Sequence, residues 1–207
     1  MKILITAFEP FGGHEINSSF EVMSKYAETQ IKFNALYTAK IKLEFETIRF
    51  QIRELLEQIK PDIILLLGQA IRPAISIEKV AINYVDSHGV SYNDGKKVSP
   101  QKIIENGPNA YFSTLPINKI VTELRNASIP AYISLSAGSY GCNQIFYETM
   151  YYLDRKERLD KTIAGFIHIP LLPKQALKGD KPTVDLELLV KGLSIILDTS
   201  VDYFNSI

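Results

Sequence analysis

Five consecutive aliphatic residues, Ile63-Ile-Leu-Leu-Leu67, stand between Pro61 and the pair Gly68-Gln69. A run this short, bounded by a helix breaker and a glycine, reads as a strand. It has no polar side, so both of its faces must be covered, which is the environment of an inner strand of a parallel sheet. Residues 2–7 (KILITA) and 162–169 (TIAGFIHI) have the same character, and residues 32–41 and 130–135 are β-rich. Between these runs the apolar period changes. Phe45, Ile48, Ile52, Leu55, Leu56 and Ile59 recur at three and four, which predicts an amphipathic helix stopped by Pro61. Further helices are expected over about 19–28, around Ile117, Ile120, Val121 and Leu124, over 143–153, and over about 184–204. Ser18 and Glu21 have capping-box spacing before the first of these. Strands alternating with helices predict one α/β domain, residues 1–207. Its architecture is an α/β/α sandwich with a largely parallel, twisted central sheet.

Lys+Arg and Asp+Glu both number 23, so the charge balance offers no attraction for nucleic acid or an acidic membrane. A single cysteine excludes an internal disulfide and suits a reducing cytoplasm. Glu9 arrives too soon for the apolar core of a signal peptide, and no apolar run approaches the roughly 18 residues of a membrane span. The expectation is a soluble, cytoplasmic protein. No phosphate-cradling glycine loop and no metal-ligand spacing is present, so neither a cofactor nor a metal is expected.

Two segments depart from regular periodicity. Along residues 75–85 the alternation slips: Ile75 and Ile77 share one parity, while Val80, Ile82 and Tyr84 share the other. One extra residue near Glu78-Lys79 explains the slip as a bulge, and bulges re-aim side chains, which singles out Glu78. Residues 86–106 have few apolar side chains and several turn formers, a long excursion of the kind that is usually functional.

The chemistry centres on Ser136-Ala-Gly-Ser-Tyr-Gly-Cys-Asn143, a small-residue turn between a strand and a helix. Cys142 falls where the turn becomes the first helical turn. Free backbone N–H groups and the positive end of the helix dipole favour a thiolate there and can hold an oxyanion. Position alone leaves Cys142 open between a nucleophile and a small buried apolar residue. His168 ends a strand at Pro170; within reach of Cys142 it takes the thiol proton and returns it to a leaving amine. Glu78 is the candidate to orient the imidazole. In open α/β sheets such sites lie beyond the carboxyl ends of the strands, where residues 8–13, Gly68-Gln69, Cys142 and His168 are expected to gather.

These residues lie within six motifs. They are Phe8-Glu-Pro-Phe-Gly-Gly13, Asn17, Glu78-Lys-Val-Ala-Ile-Asn83, Gly107-Pro-Asn-Ala-Tyr-Phe-Ser-Thr-Leu-Pro116, the Cys142 turn, and Gly165-Phe-Ile-His-Ile-Pro170. In this order they resemble the pyrrolidone-carboxylate peptidases, or pyroglutamyl peptidase I: cysteine peptidases that remove an N-terminal pyroglutamyl residue. The resemblance implies a Cys142–His168–Glu78 triad, an α/β/α fold, no cofactor, peptides with N-terminal pyroglutamate as partners, and frequently a homotetramer. Pyroglutamate is a flat, neutral lactam. An apolar slot with a few directed hydrogen bonds selects it over a charged amino terminus. By resemblance Phe8 and Phe11 wall that ring, Tyr140 stands where phenylalanine is usual, backbone near Gly141 reads the lactam, and Asn17 braces the first loop. Gln69 joins this substrate-binding set.

Three departures surround the expected site. The family's arginine after the Asn-x-x-Asp turn is replaced by Asp86-Ser87-His88, leaving His88 as a weaker, titratable oxyanion helper. The loop after Ala70 reads Ile-Arg-Pro-Ala where Gly-Gly-Arg with one more residue is usual, and the excursion after His88 is one residue longer than typical. Altered N-acyl or lactam specificity and a non-catalytic binding role are the alternatives these changes raise.

Overall fold

A computed structural model describes residues 1–30 and 32–207. Its strands are β1 (Ile3–Phe8), β2 (Leu36–Ile41), β3 (Ile63–Gln69), β4 (Ile75–Glu78), β5 (Val80–Ile82), β6 (Ala110–Phe112), β7 (Ala131–Ser134) and β8 (Ile163–Ile169). The helices are α1 (Ser18–Thr29), α2 (Phe45–Ile59), α3 (Ile117–Asn126), α4 (Gly141–Arg155) and α5 (Leu186–Phe204). The three continuous apolar runs, β1, β3 and β8, are buried at every residue. They occupy the inside of a six-stranded sheet ordered β2-β1-β3-β8-β4-β7.

Alternate residues of these strands feed two cores. Ile3, Ile5, Leu65 and Ile167 pack with side chains of α1, α3 and α5, whereas Leu4, Ile64, Leu66 and Phe166 pack with those of α2 and α4. The sheet is therefore covered on both faces, as the apolar runs require. On the second face a half-buried ion pair joins the two helices: Arg49 Nε donates to Glu148 Oε1 at 2.6 Å.

Four features differ from the sequence expectation. First, β8 and β4 pair antiparallel while β4 and β7 pair parallel, so β4 and β7 run against the other four strands. The expected gathering at strand carboxyl ends holds for β1, β3 and β8; Glu78 and Cys142 approach from strands running the other way. Second, the slip at Glu78-Lys79 is not a bulge. The chain leaves the main sheet after Glu78, and β5 pairs antiparallel with β6 in a separate two-stranded ribbon. The change of parity marks a change of sheet. Third, α1 is capped by Asn17, whose side chain accepts from Ser19 N–H, and Ser18 is already the first helical residue. Fourth, the excursion over residues 86–106 is mostly exposed but anchored at intervals: Tyr92, Val98 and Ile103 are buried in the second core.

Candidate active site

Sheet register decides which side chains share a face. Gly68 of β3 and His168 of β8 are paired residues, and Ser76 of β4 pairs with His168 from the other side. Two residues along, Phe166 pairs with both Leu66 and Glu78. Paired residues, and residues two apart, point to the same side of a sheet. His168, Glu78, Ser76 and the missing side chain of Gly68 therefore all face the α2/α4 layer. A Cβ built on Gly68 would lie 2.8 Å from Cys142 Sγ. The sulfur thus sits over Gly68, on the same side of the sheet as the imidazole and one strand away from it.

His168 is buried on this face. Its Nδ1 is 2.7 Å from Glu78 Oε1, and its ring meets Phe166 edge-on with centroids 4.8 Å apart. Glu78 is fully buried, which pushes its carboxyl up, but the hydrogen bond from His168, Ser134 and the Arg72 charge outweigh burial and hold it below the ordinary range. The carboxylate is therefore ionised, so Nδ1 carries the proton as donor and Nε2 keeps its lone pair. Burial holds His168 below the usual imidazole value despite the pull of Glu78. At neutral pH the imidazole is a neutral base.

Cys142 lies in the first turn of α4, half-buried against the second core. Burial and then the Glu78 charge push its thiol up to about 12, with Arg72 and its own backbone N–H opposing them. The expected thiolate at the helix start is thus replaced by a thiol. The partial charge of a helix end does not compensate for taking a full charge out of water beside a carboxylate. The N–H groups remain available, however. As at α2 and α3, no side chain caps the start of α4, so the Tyr140 side chain does not occupy its first N–H groups.

The remaining expected residues divide into two groups. Phe11, Tyr140 and Gly141 border the Cys142 turn. The Phe11 and Tyr140 rings are 6.4 Å apart, Tyr140 is 4.3 Å from Tyr92, and its hydroxyl donates to the Ser91 carbonyl at 2.9 Å. A side chain at Gly141 would collide with Leu43. The other group is engaged in support. Phe8 is 1% exposed within the second core. Asn17 donates to the Glu9 carbonyl at 3.1 Å, bracing the first loop while capping α1. Gln69 Oε1 accepts from Ser18 N–H at 2.8 Å and from Gln175 Nε2 at 2.6 Å, joining β3, α1 and the turn after β8. His88 lies outermost. Its side chain is 71% exposed, with Nε2 2.9 Å from Ser139 Oγ and Nδ1 3.2 Å from Asp86 Oδ2.

Two residues in this region had no assigned part in the sequence reading. Arg72 Nη1 donates to Glu78 Oε1 at 2.6 Å, and Nη2 donates to the Ser136 carbonyl at 3.2 Å. Asn143 Oδ1 accepts from Ile82 N–H at 2.9 Å, and its Nδ2 donates to the Ile82 and Tyr84 carbonyls, each at 2.9 Å. Asn143 thereby fastens the start of α4 to the chain leaving β4. Its place in the motif beside Cys142 was the only local signal. Among the described residues no cluster of three or more His, Cys, Asp and Glu side chains could hold a metal, and no helix is long and apolar enough to cross a membrane.

Comparison with known proteins agrees with this arrangement. The sequence model described as pyroglutamyl peptidase matches residues 1–203. A pyrrolidone-carboxylate peptidase of Vibrio parahaemolyticus is 41% identical over 205 residues, covering 98% of this chain and 93% of that protein. The pyrrolidone carboxyl peptidase of Thermococcus litoralis superposes with a TM-score of 0.91 at 34% identity, covering 99% of this chain and 95% of that one. Pyroglutamyl peptidase I of Bacillus amyloliquefaciens gives 0.88 at 33% identity, covering 96% and 94%. With similarity of this extent in both sequence and fold, the chain belongs to the pyroglutamyl peptidase family of cysteine peptidases.

Proposed function

We propose that this protein hydrolyses the amide bond after an N-terminal pyroglutamyl residue, with Cys142 as nucleophile, His168 as proton carrier and Glu78 as the group that orients His168. The observation that carries this reading is the 2.7 Å contact between His168 Nδ1 and Glu78 Oε1 on the sheet face where Cys142 Sγ lies. Because thiol and imidazole are both neutral at rest, proton transfer accompanies attack. His168 Nε2 takes the thiol proton as the sulfur bonds to the pyroglutamyl carbonyl carbon, and Glu78 stabilises the imidazolium that forms. The carbonyl oxygen becomes an oxyanion beside the free N–H groups at the start of α4. Collapse breaks the C–N bond, and the leaving amine takes the proton from Nε2. Water, deprotonated by His168, then cleaves the thioester and restores the thiol.

Phe11 and Tyr140 are assigned the apolar walls of the lactam slot, and backbone at Gly141 its directed hydrogen bonds. Phe8 supports that slot from the core, while Asn17 and Gln69 hold its loops. His88, expected as an oxyanion helper, is exposed with both ring nitrogens engaged by Ser139 and Asp86, and is assigned instead to steadying the outside of the catalytic turn. The substrates are peptides bearing N-terminal pyroglutamate. A cytoplasmic location and a homotetrameric state complete the proposal, the first supported by the lone cysteine and the second by the family resemblance. Turnover of a fluorogenic pyroglutamyl amide is the test. Release of the fluorophore by the wild type and none by Cys142→Ala is expected; no wild-type turnover, or equal turnover by the variant, refutes the proposal.

A further inference from the structure

Arg72 is neither nucleophile, base nor the residue that orients the base, yet it joins two parts of that machinery. It lies on the connection between β3 and β4, with its side chain 23% exposed. Nη1 donates to Glu78 Oε1, the same oxygen that His168 Nδ1 contacts. Glu78 Oε2, by contrast, is buried without a hydrogen-bond partner. The guanidinium and the imidazole therefore do not divide the carboxylate between its two oxygens; they share one, and Nη1 also donates to Ser76 Oγ at 2.5 Å. Nη2 reaches the Ser136 carbonyl, in the turn that leads into Cys142.

We propose that Arg72 is a positioning residue with two roles. By sharing the Glu78 oxygen it keeps His168 free to accept the thiol proton, and by holding Ser136 it fixes the catalytic turn to the same carboxylate. The inference rests on the peptidase reading of this site. A buried carboxylate committed wholly to one imidazole favours the imidazolium, which has no lone pair for the thiol proton. A fixed positive charge on the same oxygen reduces that preference while leaving the Nδ1–H bond to hold the ring. It also favours negative charge on the sulfur. The charged and titratable groups facing the pair are Glu78 on β4, Arg72 on the β3–β4 connection, and Tyr92 and Tyr140 near the sulfur. Arg72 is the single cation among them. In a chain whose Asp86-Ser87-His88 turn lacks the family's arginine, it is the positive charge the site retains.

The full-length protein, Arg72→Gln and Arg72→Lys would be compared by two readouts. The first is the rate of Cys142 alkylation by iodoacetamide against pH, read cleanly because Cys142 is the only cysteine. The second is kcat/KM against pH on a pyroglutamyl amide. In Arg72→Gln both His168 and the thiol hold their protons to higher pH. The acid limb of kcat/KM should move up by about one pH unit, and the alkylation rate at neutral pH, which follows the thiolate fraction, should fall about ten-fold. Arg72→Lys keeps the charge but lacks the two-pronged reach to Ser136, so its profile should return to the wild-type position with a reduced rate. Superimposable Gln and wild-type profiles, or a downward shift, would overturn the proposal. Should Arg72→Gln fail to fold, the Lys variant decides: a displaced profile or an unreduced rate overturns it. Alkylation needs no substrate. A wild type that hydrolyses no pyroglutamyl amide therefore refutes the peptidase reading separately, while alkylation still judges Arg72.

Discussion

Gly68→Ala would add one methyl group at the point where strand, sulfur and supporting ring meet. The new Cβ would lie 2.5 Å from Phe166 Cζ and 2.8 Å from Cys142 Sγ. Restoring ordinary contact requires the ring atom to move by about 0.9 Å and the sulfur by about 0.6 Å, the scale at which close-packed interiors resist change. Phe166 has no exposed surface, and it in turn packs against Phe146 at 6.3 Å and His168 at 4.8 Å between ring centroids. Overpacking of this kind costs about 1–3 kcal/mol, or about 2–12 °C in Tm for a chain of this size. The effect on rate is larger than the effect on stability, because it displaces the nucleophile and the ring beneath the base together. A misplacement near 1 Å lowers kcat/KM by about 100-fold. Kinetics on the pyroglutamyl amide, with thermal melts alongside, would measure both. Wild-type kcat/KM in a folded Gly68→Ala protein would refute the placement of Cys142 Sγ over Gly68, and with it the same-face argument.

Asn143→Ala should destabilise by about 2 kcal/mol, since it strips the Ile82 N–H and the Tyr84 carbonyl of their part-buried partner, while the Ile82 carbonyl keeps the Tyr84 N–H. A melt should show Tm lower by about 4–8 °C, and a shift under about 2 °C would show that these groups find other partners. Acid should weaken the fold in two stages. His168 is held below the ordinary imidazole value, so the native state binds fewer protons than the unfolded chain once pH drops under about 6.5. The stability it contributes is complete above that pH and is lost as pH falls through the lower folded value. Glu78, also lowered, continues the trend below about 4.3. Melts across this range should show Tm starting to fall near pH 6.5, with the first stage absent in His168→Gln; a wild-type Tm flat through that region contradicts the buried neutral imidazole.

Local pattern carried a great deal of this protein. The aliphatic runs that became β1, β3 and β8 read as buried strands, and the three-and-four spacing from Phe45 to Ile59 marked α2 and its stop before Pro61. Cys142, His168 and Glu78 were legible as candidates because a lone thiol at a helix start, an imidazole at a strand end and a carboxylate at a break in alternation are each locally unusual. Strand direction was not legible. A strand with both faces buried looks the same whichever way it runs, so the reversal of β4 and β7 depends on pairings between residues about 56 to 92 positions apart. The parity slip at Lys79 was visible, but a bulge and a change of sheet leave the same trace in sequence; only the partner strand β6 distinguishes them.

Arg72 belongs to the second category most clearly. In the sequence it is one cation in an irregular loop, and its meaning comes from contacts with Glu78 six residues away and Ser136 sixty-four residues away. Asn143 and Gly68 are similar: one is an amide whose three partners lie across the chain, the other a glycine required by a sulfur from a distant helix. The amino-acid order alone determined which segments are buried and which side chains are capable of the chemistry, because burial and reactivity are properties of residues and their near neighbours. Tertiary structure alone decided which face they share and which atom each one touches, because register and direction are set by pairing between segments that carry no local record of one another.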